Sequence, residues 1–235
     1  LNRIEQIKRT GLVELKDDFK IYWERYPIAN LSPGKDYLNP ELSLVIDDMV
    51  ESSDQLQLSN YLMNWLNNKI KDDLKSLIDL KQIKINNPSI RALAYQLYEN
   101  NGVIKREDVS NFLNNLGQEE RRVLRELGVK FGRYHIFLYK LFKPNAVSLR
   151  IALWRNYHQK YFQLKPPKFG LNFLEHKNPE NKNFMLLCGF EKFDQFFVRI
   201  DILERLFVKI MNSNPENKNE IKLIPEMVNL LGCSK

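Results

Sequence analysis

The 235-residue chain is poor in cysteine and glycine, with two and nine residues respectively. Cys188 and Cys233 lie far apart in the sequence and match no disulfide framework, which predicts a reduced, cytoplasmic protein. No apolar run approaches the roughly 20 residues that a membrane-spanning helix needs. No charged-then-apolar leader opens the chain. These absences argue against a secreted or membrane-embedded protein, and we expect no membrane partner.

The motifs of several enzyme classes are absent as well. The sequence contains no Gly-x-x-x-x-Gly-Lys-Ser/Thr loop to hold phosphates, no Asp-Glu-x-His/Asp box for magnesium and no Gly-x-Ser-x-Gly nucleophile turn. His135, His158 and His176 are too far from one another, and from either cysteine, for the usual zinc spacings. The sequence therefore predicts no catalytic residue, no metal site and no cofactor in this chain, and no enzymatic activity of the chain alone.

The apolar periodicity predicts a mainly α protein with small antiparallel β elements, an α+β fold with a helical bundle-like core. We expect three segments. Residues 1–53 form a small β-rich N-terminal segment, 54–165 a basic helical domain, and 166–235 a small α+β segment. The chain opens at Leu1 without an initiator methionine. We therefore expect a fragment of a longer protein.

Local patterns predict individual elements within these segments. Leucine and isoleucine recur at helical spacing from Leu58 to Ile78, which is typical of one long amphipathic helix. The dipeptide Asn87-Pro88 predicts the start of the next helix, because proline is favoured at the first helical position. Apolar residues alternate from Val129 to Leu138, as in strands, and the residues up to Lys143 fit strand or helix. Residues 184–193 and 196–200 are typical of a pair of strands.

Positive charge is concentrated in the middle of the chain. Between positions 121 and 168, twelve cations face one acid, Glu126, so this stretch carries +11. The whole chain carries only +7, which leaves −4 on the remaining residues. The cations are Arg121, Arg122, Arg125, Lys130, Arg133, Lys140, Lys143, Arg150, Arg155, Lys160, Lys165 and Lys168.

This imbalance predicts a polyanion-binding surface. An ordinary solvated face mixes the two signs of charge, whereas cations that neutralise phosphates release counterions and supply sequence-independent affinity. Aromatic rings crowd the same stretch and could stack on unpaired bases, although burial in the core is the favoured interpretation for most of them. A basic docking surface for an acidic protein is the main alternative. The predicted nucleic-acid-binding residues are Arg121, Arg122, Arg125, Lys130, Arg133, Tyr134, His135, Lys140, Lys143, Arg150 and Arg155.

Three blocks of sequence together carry a family resemblance. The first runs from Arg125 to Pro144 and includes Leu-Gly-Val-Lys-Phe-Gly-Arg-Tyr-His-Ile. The second is Gly189-Phe190 with Val198–Leu206, and the third is Pro225–Ser234, in which a short helix ends at Gly232. Their order and spacing resemble the region that follows the motor core in alphaproteobacterial superfamily-two helicases related to the mitochondrial RNA-degradation helicase.

The resemblance implies a non-catalytic accessory region of an ATP-dependent RNA or DNA helicase, which guides single-stranded nucleic acid. ATP and magnesium would bind only in the upstream motor domains, which this chain does not contain. The implied partners are RNA or single-stranded DNA and the upstream helicase core. The alternative is a protein-docking module of an RNA-degrading or RNA-processing assembly, with a ribonuclease as the partner. The family pattern continues past Gly-Cys-Ser, which is the reason to expect a truncated last segment.

Overall fold

The computed structural model describes residues 3–45, 52–160, 163–175, 182–213 and 224–232. His176 and Cys233, considered above as ligands or disulfide partners, lie outside these ranges. The elements in chain order are α1 (Arg3–Thr10), β1 (Val13–Leu15), β2 (Lys20–Trp23), β3 (Tyr26–Ser32), β4 (Glu41–Leu44), α2 (Ser52–Asp73), α3 (Lys75–Lys81), α4 (Pro88–Glu99), β5 (Val103–Lys105), α5 (Ser110–Asn114), α6 (Gln118–Glu126), β6 (Val129–Phe131), β7 (His135–Leu138), α7 (Pro144–His158), β8 (Phe173–Glu175), α8 (Lys182–Leu187), β9 (Phe190–Phe193), β10 (Phe196–Arg199), α9 (Ile200–Asn212) and α10 (Pro225–Leu231).

This architecture confirms the predicted α+β class, mainly helical with small antiparallel sheets. Every strand pair in the three sheets is antiparallel. Five of the seven pairs join strands that are neighbours in the sequence, where short connections favour this arrangement, and the other two are β5–β7 and β8–β10. Among the described residues, no helix is both long and apolar enough to cross a membrane.

The chain forms two compact units whose limits differ from the three expected segments. Unit 1 combines residues 1–73 with 148–164, and unit 2 combines 74–147 with 165–235. The division falls inside α7, so that helix contributes to both units. A reading along the sequence places boundaries at breaks in local pattern, and it cannot detect a chain that leaves a unit and returns to it.

Unit 1 contains a four-stranded sheet in the order β1-β2-β3-β4. Helix α2 packs against β4 and α1. Its buried stripe, Leu58, Leu62, Leu66 and Ile70, has the predicted helical spacing. The predicted single helix is interrupted at Leu74, which adopts a non-helical conformation and separates α2 from α3.

Unit 2 contains two three-stranded sheets, ordered β5-β7-β6 and β8-β10-β9. Strand β7 is central in the first and is buried along its whole length. Helix α9 follows β10 directly and packs against α10. The predicted start of α4 is confirmed, since the Asn87 side chain caps it by accepting hydrogen bonds from the N–H groups of Ser89 and Ile90. The strand predicted over 184–193 is correct only for β9, because the first part of that range belongs to helix α8.

Candidate nucleic-acid interface

A cleft of about 890 Å³ in unit 2 brings together five cations from separate parts of the chain. Arg125 comes from α6, Lys130 from β6 and Arg133 from the turn that follows, while Arg205 and Lys209 come from α9. We call this the basic cleft. Within the described part of the chain, none of the five forms an ion pair with a carboxylate. Their charges therefore remain available to an external anion.

Two acids, Asp201 and Glu204, also line the basic cleft, but both have partners inside the protein. The Arg199 guanidinium donates to both oxygens of Asp201, from Nε at 2.6 Å and from Nη2 at 3.2 Å. Each of the two acids is only 6% exposed. Asp201 is thus paired with Arg199, and Glu204 is bound to His135 and to backbone N–H groups, so neither acid forms an ion pair with one of the five cations among the described residues.

Helix α9 presents its cleft-lining residues on one face. Asp201, Arg205, Val208 and Lys209 follow the spacing at which helical side chains share a side. The two cations lie four residues apart and are accessible, with Arg205 exposed and Lys209 partly so. One turn of α9 therefore adds two charges to the three that come from the α6–β6 region.

The turn between β6 and β7 is held by a single carboxylate. Glu204 accepts hydrogen bonds from three consecutive backbone N–H groups, those of Arg133, Tyr134 and His135. From the other side, Arg106 donates from Nη1 to the Gly132 carbonyl at 2.9 Å and from its backbone N–H to the Tyr134 carbonyl at 2.8 Å. This double attachment fixes the turn, and so the backbone from which Arg133 extends into the cleft.

His135 links β7 to two other elements of unit 2. Its Nδ1 lies 3.0 Å from Oε1 of Glu204 on α9, and its Nε2 lies 3.1 Å from Oε2 of Glu191 on β9. Both ring nitrogens donate to these carboxylates when the imidazole is protonated. The three side chains are buried, at 2%, 5% and 6% exposure in the order His135, Glu191, Glu204. They form a charged hydrogen-bonded cluster beneath the turn, which we call the His135 cluster.

The protonation of the His135 cluster follows from its contacts. Burial lowers the pKa of His135, but hydrogen bonds to Glu191 and Glu204 and their negative charges outweigh burial and raise the pKa. Burial raises the pKa of Glu191 and of Glu204. The hydrogen bond with His135 acts in the opposite sense and lowers both values overall, helped at Glu204 by the three backbone N–H groups. The cluster therefore favours an imidazolium held between two carboxylates.

Aromatic rings also face the basic cleft. The Arg125 guanidinium lies 5.5 Å from the centre of the Phe131 ring, a distance at which a cation and a ring attract. Tyr139 is 42% exposed and lines the cleft, whereas Phe137 is buried. An unpaired base could stack on Tyr139 while its phosphate contacts the cations.

The structure brings together some of the predicted site residues and separates others. Arg125, Lys130 and Arg133 line the basic cleft, and Tyr134 is exposed at the turn. Arg121 is partly buried and donates to the Leu113 carbonyl at 3.2 Å. The exposed residues Arg122, Lys140 and Lys143 do not line the cleft, and Arg122 pairs with Glu126 on its own helix.

Three predicted residues are not on the surface. His135 is 2% exposed, Arg150 is 0% exposed and Arg155 is 6% exposed, and the two arginines belong to unit 1. Arg155 donates from Nη2 to the Leu164 carbonyl. Helix α7 is buried nearly all round from position 149 to 153, so the arginine at position 150 lies inside the protein. The burial of these side chains removes them from the candidate surface.

Sequence reasoning missed Arg205 and Lys209, which lie outside the 121–168 stretch in the part of the chain that is acidic overall. Their spacing of four residues within a helical pattern was the available signal, since it predicts two cations on one helix face. The pairing of that face with β6 depends on tertiary structure.

Comparisons of the chain with protein-family models, curated proteins and solved structures find no match. Within the described residues, no group of three or more histidine, cysteine, aspartate or glutamate side chains is arranged to hold a metal ion.

Proposed function

We propose that this chain is a non-catalytic accessory region that guides single-stranded nucleic acid along the basic cleft of unit 2. The observation that carries the proposal is the convergence of five cations in a cleft whose two acids are bound internally. None of the five is ion-paired with another residue that the structure describes. Neutralised phosphates release condensed counterions, so such a cleft favours a strand of any sequence. Its exposed ring, Tyr139, favours unpaired bases over a duplex, whose bases are already stacked.

The wider context that we propose is an ATP-dependent RNA or DNA helicase in the cytoplasm, whose motor domains bind ATP and magnesium and lie upstream. The three blocks that resemble the post-motor region of superfamily-two helicases all contribute to the basic cleft. The first block supplies Arg125, Lys130 and Arg133, the second supplies Arg205, and the third supplies Leu230. Segments that are distant in sequence and carry the resemblance thus line one surface, which supports a shared binding role.

Fluorescence anisotropy with labelled single-stranded RNA and DNA tests the proposal over a series of salt concentrations. The informative variant reverses the two α9 cations, Arg205→Glu with Lys209→Glu. The matched control is Lys165→Glu with Lys168→Glu, because these exposed lysines of unit 2 lie outside the cleft and carry the same charge change. For single strands, each phosphate contact contributes about 0.7 to the slope of log affinity against log salt concentration. Loss of two contacts should therefore make that slope shallower by about 1.4.

The control should bind almost as tightly as the unchanged chain, because its lysines lie outside the cleft. Equal binding by the α9 variant and the unchanged chain at every salt concentration would contradict the proposal. Absence of oligonucleotide binding by the unchanged chain would also contradict it, and would favour the protein-docking alternative with a ribonuclease partner.

A further inference from the structure

A second cleft in unit 2, of about 650 Å³, adjoins the same turn and shares Arg133 with the basic cleft. Its volume falls within the roughly 300–1,000 Å³ of typical small-ligand sites. It combines three further cations, Lys105, Arg106 and Lys192, with three rings, Tyr134, Phe193 and Phe207. We call it the aromatic cleft.

The aromatic cleft is lined by four lysine and arginine side chains and by two acids, which leaves an excess of positive charge. Glu191 is buried and hydrogen-bonded to His135, and Glu107 is the other acid in the lining. Lys105 and Lys192 are partly buried, and neither forms an ion pair among the residues that the structure describes. A phosphate entering this cleft would therefore meet two lysines that hold no ion pair, of which Lys105 also lies near enough to Glu191 for its charge to lower the pKa of that carboxylate.

The rings of the aromatic cleft are accessible and partly supported from behind. Tyr134 is 51% exposed and Phe193 is 41% exposed, so both rings can be reached from solvent. Tyr134 contacts the partly buried ring of Phe207, with 4.0 Å between the ring centres. One side of Tyr134 is thus in contact with the protein, and the exposed part of the ring remains open to a planar ligand.

The backbone beneath Tyr134 is fixed before any ligand arrives. Its N–H donates to Glu204 and its carbonyl accepts from the Arg106 N–H, while the Gly132 N–H donates to the His135 carbonyl at 2.8 Å. A ring carried on a fixed turn loses little freedom on binding, so a contact made there contributes more to affinity than one on a mobile loop.

We propose that the aromatic cleft is a base-stacking subsite, in which Tyr134 and Phe193 stack on a base of the bound strand while Lys105 and Lys192 bind its phosphate. This inference rests on the proposed function, because it assigns the cleft to the same strand that occupies the basic cleft. Arg133 lines both clefts and joins them into one positively charged path around the β6–β7 turn. The ligand class is a single-stranded oligonucleotide with intact bases.

The test compares a thymidine oligomer with an abasic oligomer of equal length and charge. Both are about 12 nucleotides long, which is within the usual range of single-strand binding sites. The variant is Tyr134→Leu with Phe193→Leu in the full chain. Its matched control is Tyr95→Leu with Phe169→Leu, because those rings are similarly exposed, at 60% and 56%, and lie outside both clefts. We expect the variant to lose about tenfold or more in affinity for the thymidine oligomer. Its affinity for the abasic oligomer should stay the same.

Other outcomes separate this inference from the function on which it rests. If the variant binds the thymidine oligomer as tightly as the unchanged chain does, the subsite is overturned, while the Arg205 and Lys209 experiment still decides the basic cleft. Equal weakening of both oligomers by the variant would also overturn stacking, since an abasic strand has no bases to lose. Phe193→Leu alone serves as a second variant if removal of the Tyr134–Phe207 contact unfolds the turn. It should likewise weaken binding of the thymidine oligomer and leave binding of the abasic oligomer unchanged.

Discussion

Glu204 binds His135 twice, accepting from its backbone N–H at 2.7 Å and lying 3.0 Å from its ring Nδ1. One carboxylate thus fixes both the backbone and the side chain of the first residue of β7. The same carboxylate binds the N–H groups of Arg133 and Tyr134, which contribute to the two proposed binding clefts. The stability of the turn and the geometry of the proposed interface therefore depend on one side chain of α9.

Glu204→Gln should destabilise unit 2. The amide has one accepting oxygen and no charge, so charge-assisted bonds to the turn are lost, at a cost of about 1.5–3 kcal/mol in the free energy of unfolding. Urea denaturation followed by circular dichroism measures this loss. Hydrogen exchange at the amides of 133–135 should accelerate. Glu119→Gln, an exposed change on α6, is the control and should leave both measurements unchanged. If the three amides exchange as slowly in Glu204→Gln as in the unchanged chain, the conclusion that Glu204 holds the turn is contradicted.

The stability of the protein should depend on pH through the His135 cluster. The raised pKa of His135 gives stabilisation that is complete below the ordinary value of 6.5 and is lost as the pH rises through the folded-state pKa. The lowered pKa values of Glu191 and Glu204 give stabilisation that is present above 4.5 and is lost as the pH falls through their folded-state values. The contribution of the cluster should therefore be greatest between about pH 4.5 and 6.5.

Urea midpoints across this pH range, measured for the unchanged chain and for His135→Gln, test the dependence. The variant should lose the decline on the alkaline side. His158→Gln is the control, because burial and the charge of Lys160 lower the pKa of that exposed histidine and give the opposite sign. A decline that persists unchanged in His135→Gln would show that another group is responsible.

Gly132→Ala should destabilise the turn by crowding. A methyl group at this position would collide with the carboxylate of Glu204 and would lie 2.8 Å from the His135 carbonyl oxygen. Glu204 cannot move aside without breaking its bonds to the turn, so we expect a loss of about 1–3 kcal/mol. Thermal denaturation measures it. At Gly117 the new methyl group would meet only the flexible end of Glu120, and Gly117→Ala should therefore have a smaller effect. A change at position 132 as mild as the one at 117 would contradict the close packing described here.

The buried arginines of α7 should contribute to stability and not to binding. Arg155→Met removes the hydrogen bond to the Leu164 carbonyl, and Arg150→Met removes a fully buried guanidinium from its partners. Each should lower the stability of unit 1 by about 1–3 kcal/mol, because buried polar groups are left without a hydrogen bond. The three tryptophans, Trp23, Trp65 and Trp154, all lie in unit 1, so tryptophan fluorescence during urea denaturation reports on it directly. Oligonucleotide affinity should stay the same in conditions where the variants are folded. Lys140→Met, an exposed change in unit 2, is the control for stability. Weaker oligonucleotide binding by a folded Arg155→Met variant would contradict the conclusion that Arg155 lies outside the interface.

Parts of this protein could be predicted from local pattern. The Asn87-Pro88 start of α4 and the end of α10 at Gly232, whose φ is +74°, depend on residue types with strong backbone preferences. The candidate site was predicted in part, because Arg125, Lys130 and Arg133 are close in sequence and also in space. His135 was misplaced on the surface because its two partners, Glu191 and Glu204, are 56 and 69 residues away in the sequence.

The sequence alone determined the α+β class, the local helix and strand propensities and the unbalanced charge of residues 121–168, since each depends on neighbouring residues. Only the tertiary structure decided which charges face solvent. Packing buried Arg150 and Arg155 in one unit, and in the other it brought Arg205 and Lys209 into the cleft that Lys130 also lines. The physical reason is that burial and charge proximity depend on distances between segments that are remote along the chain, which no local pattern encodes.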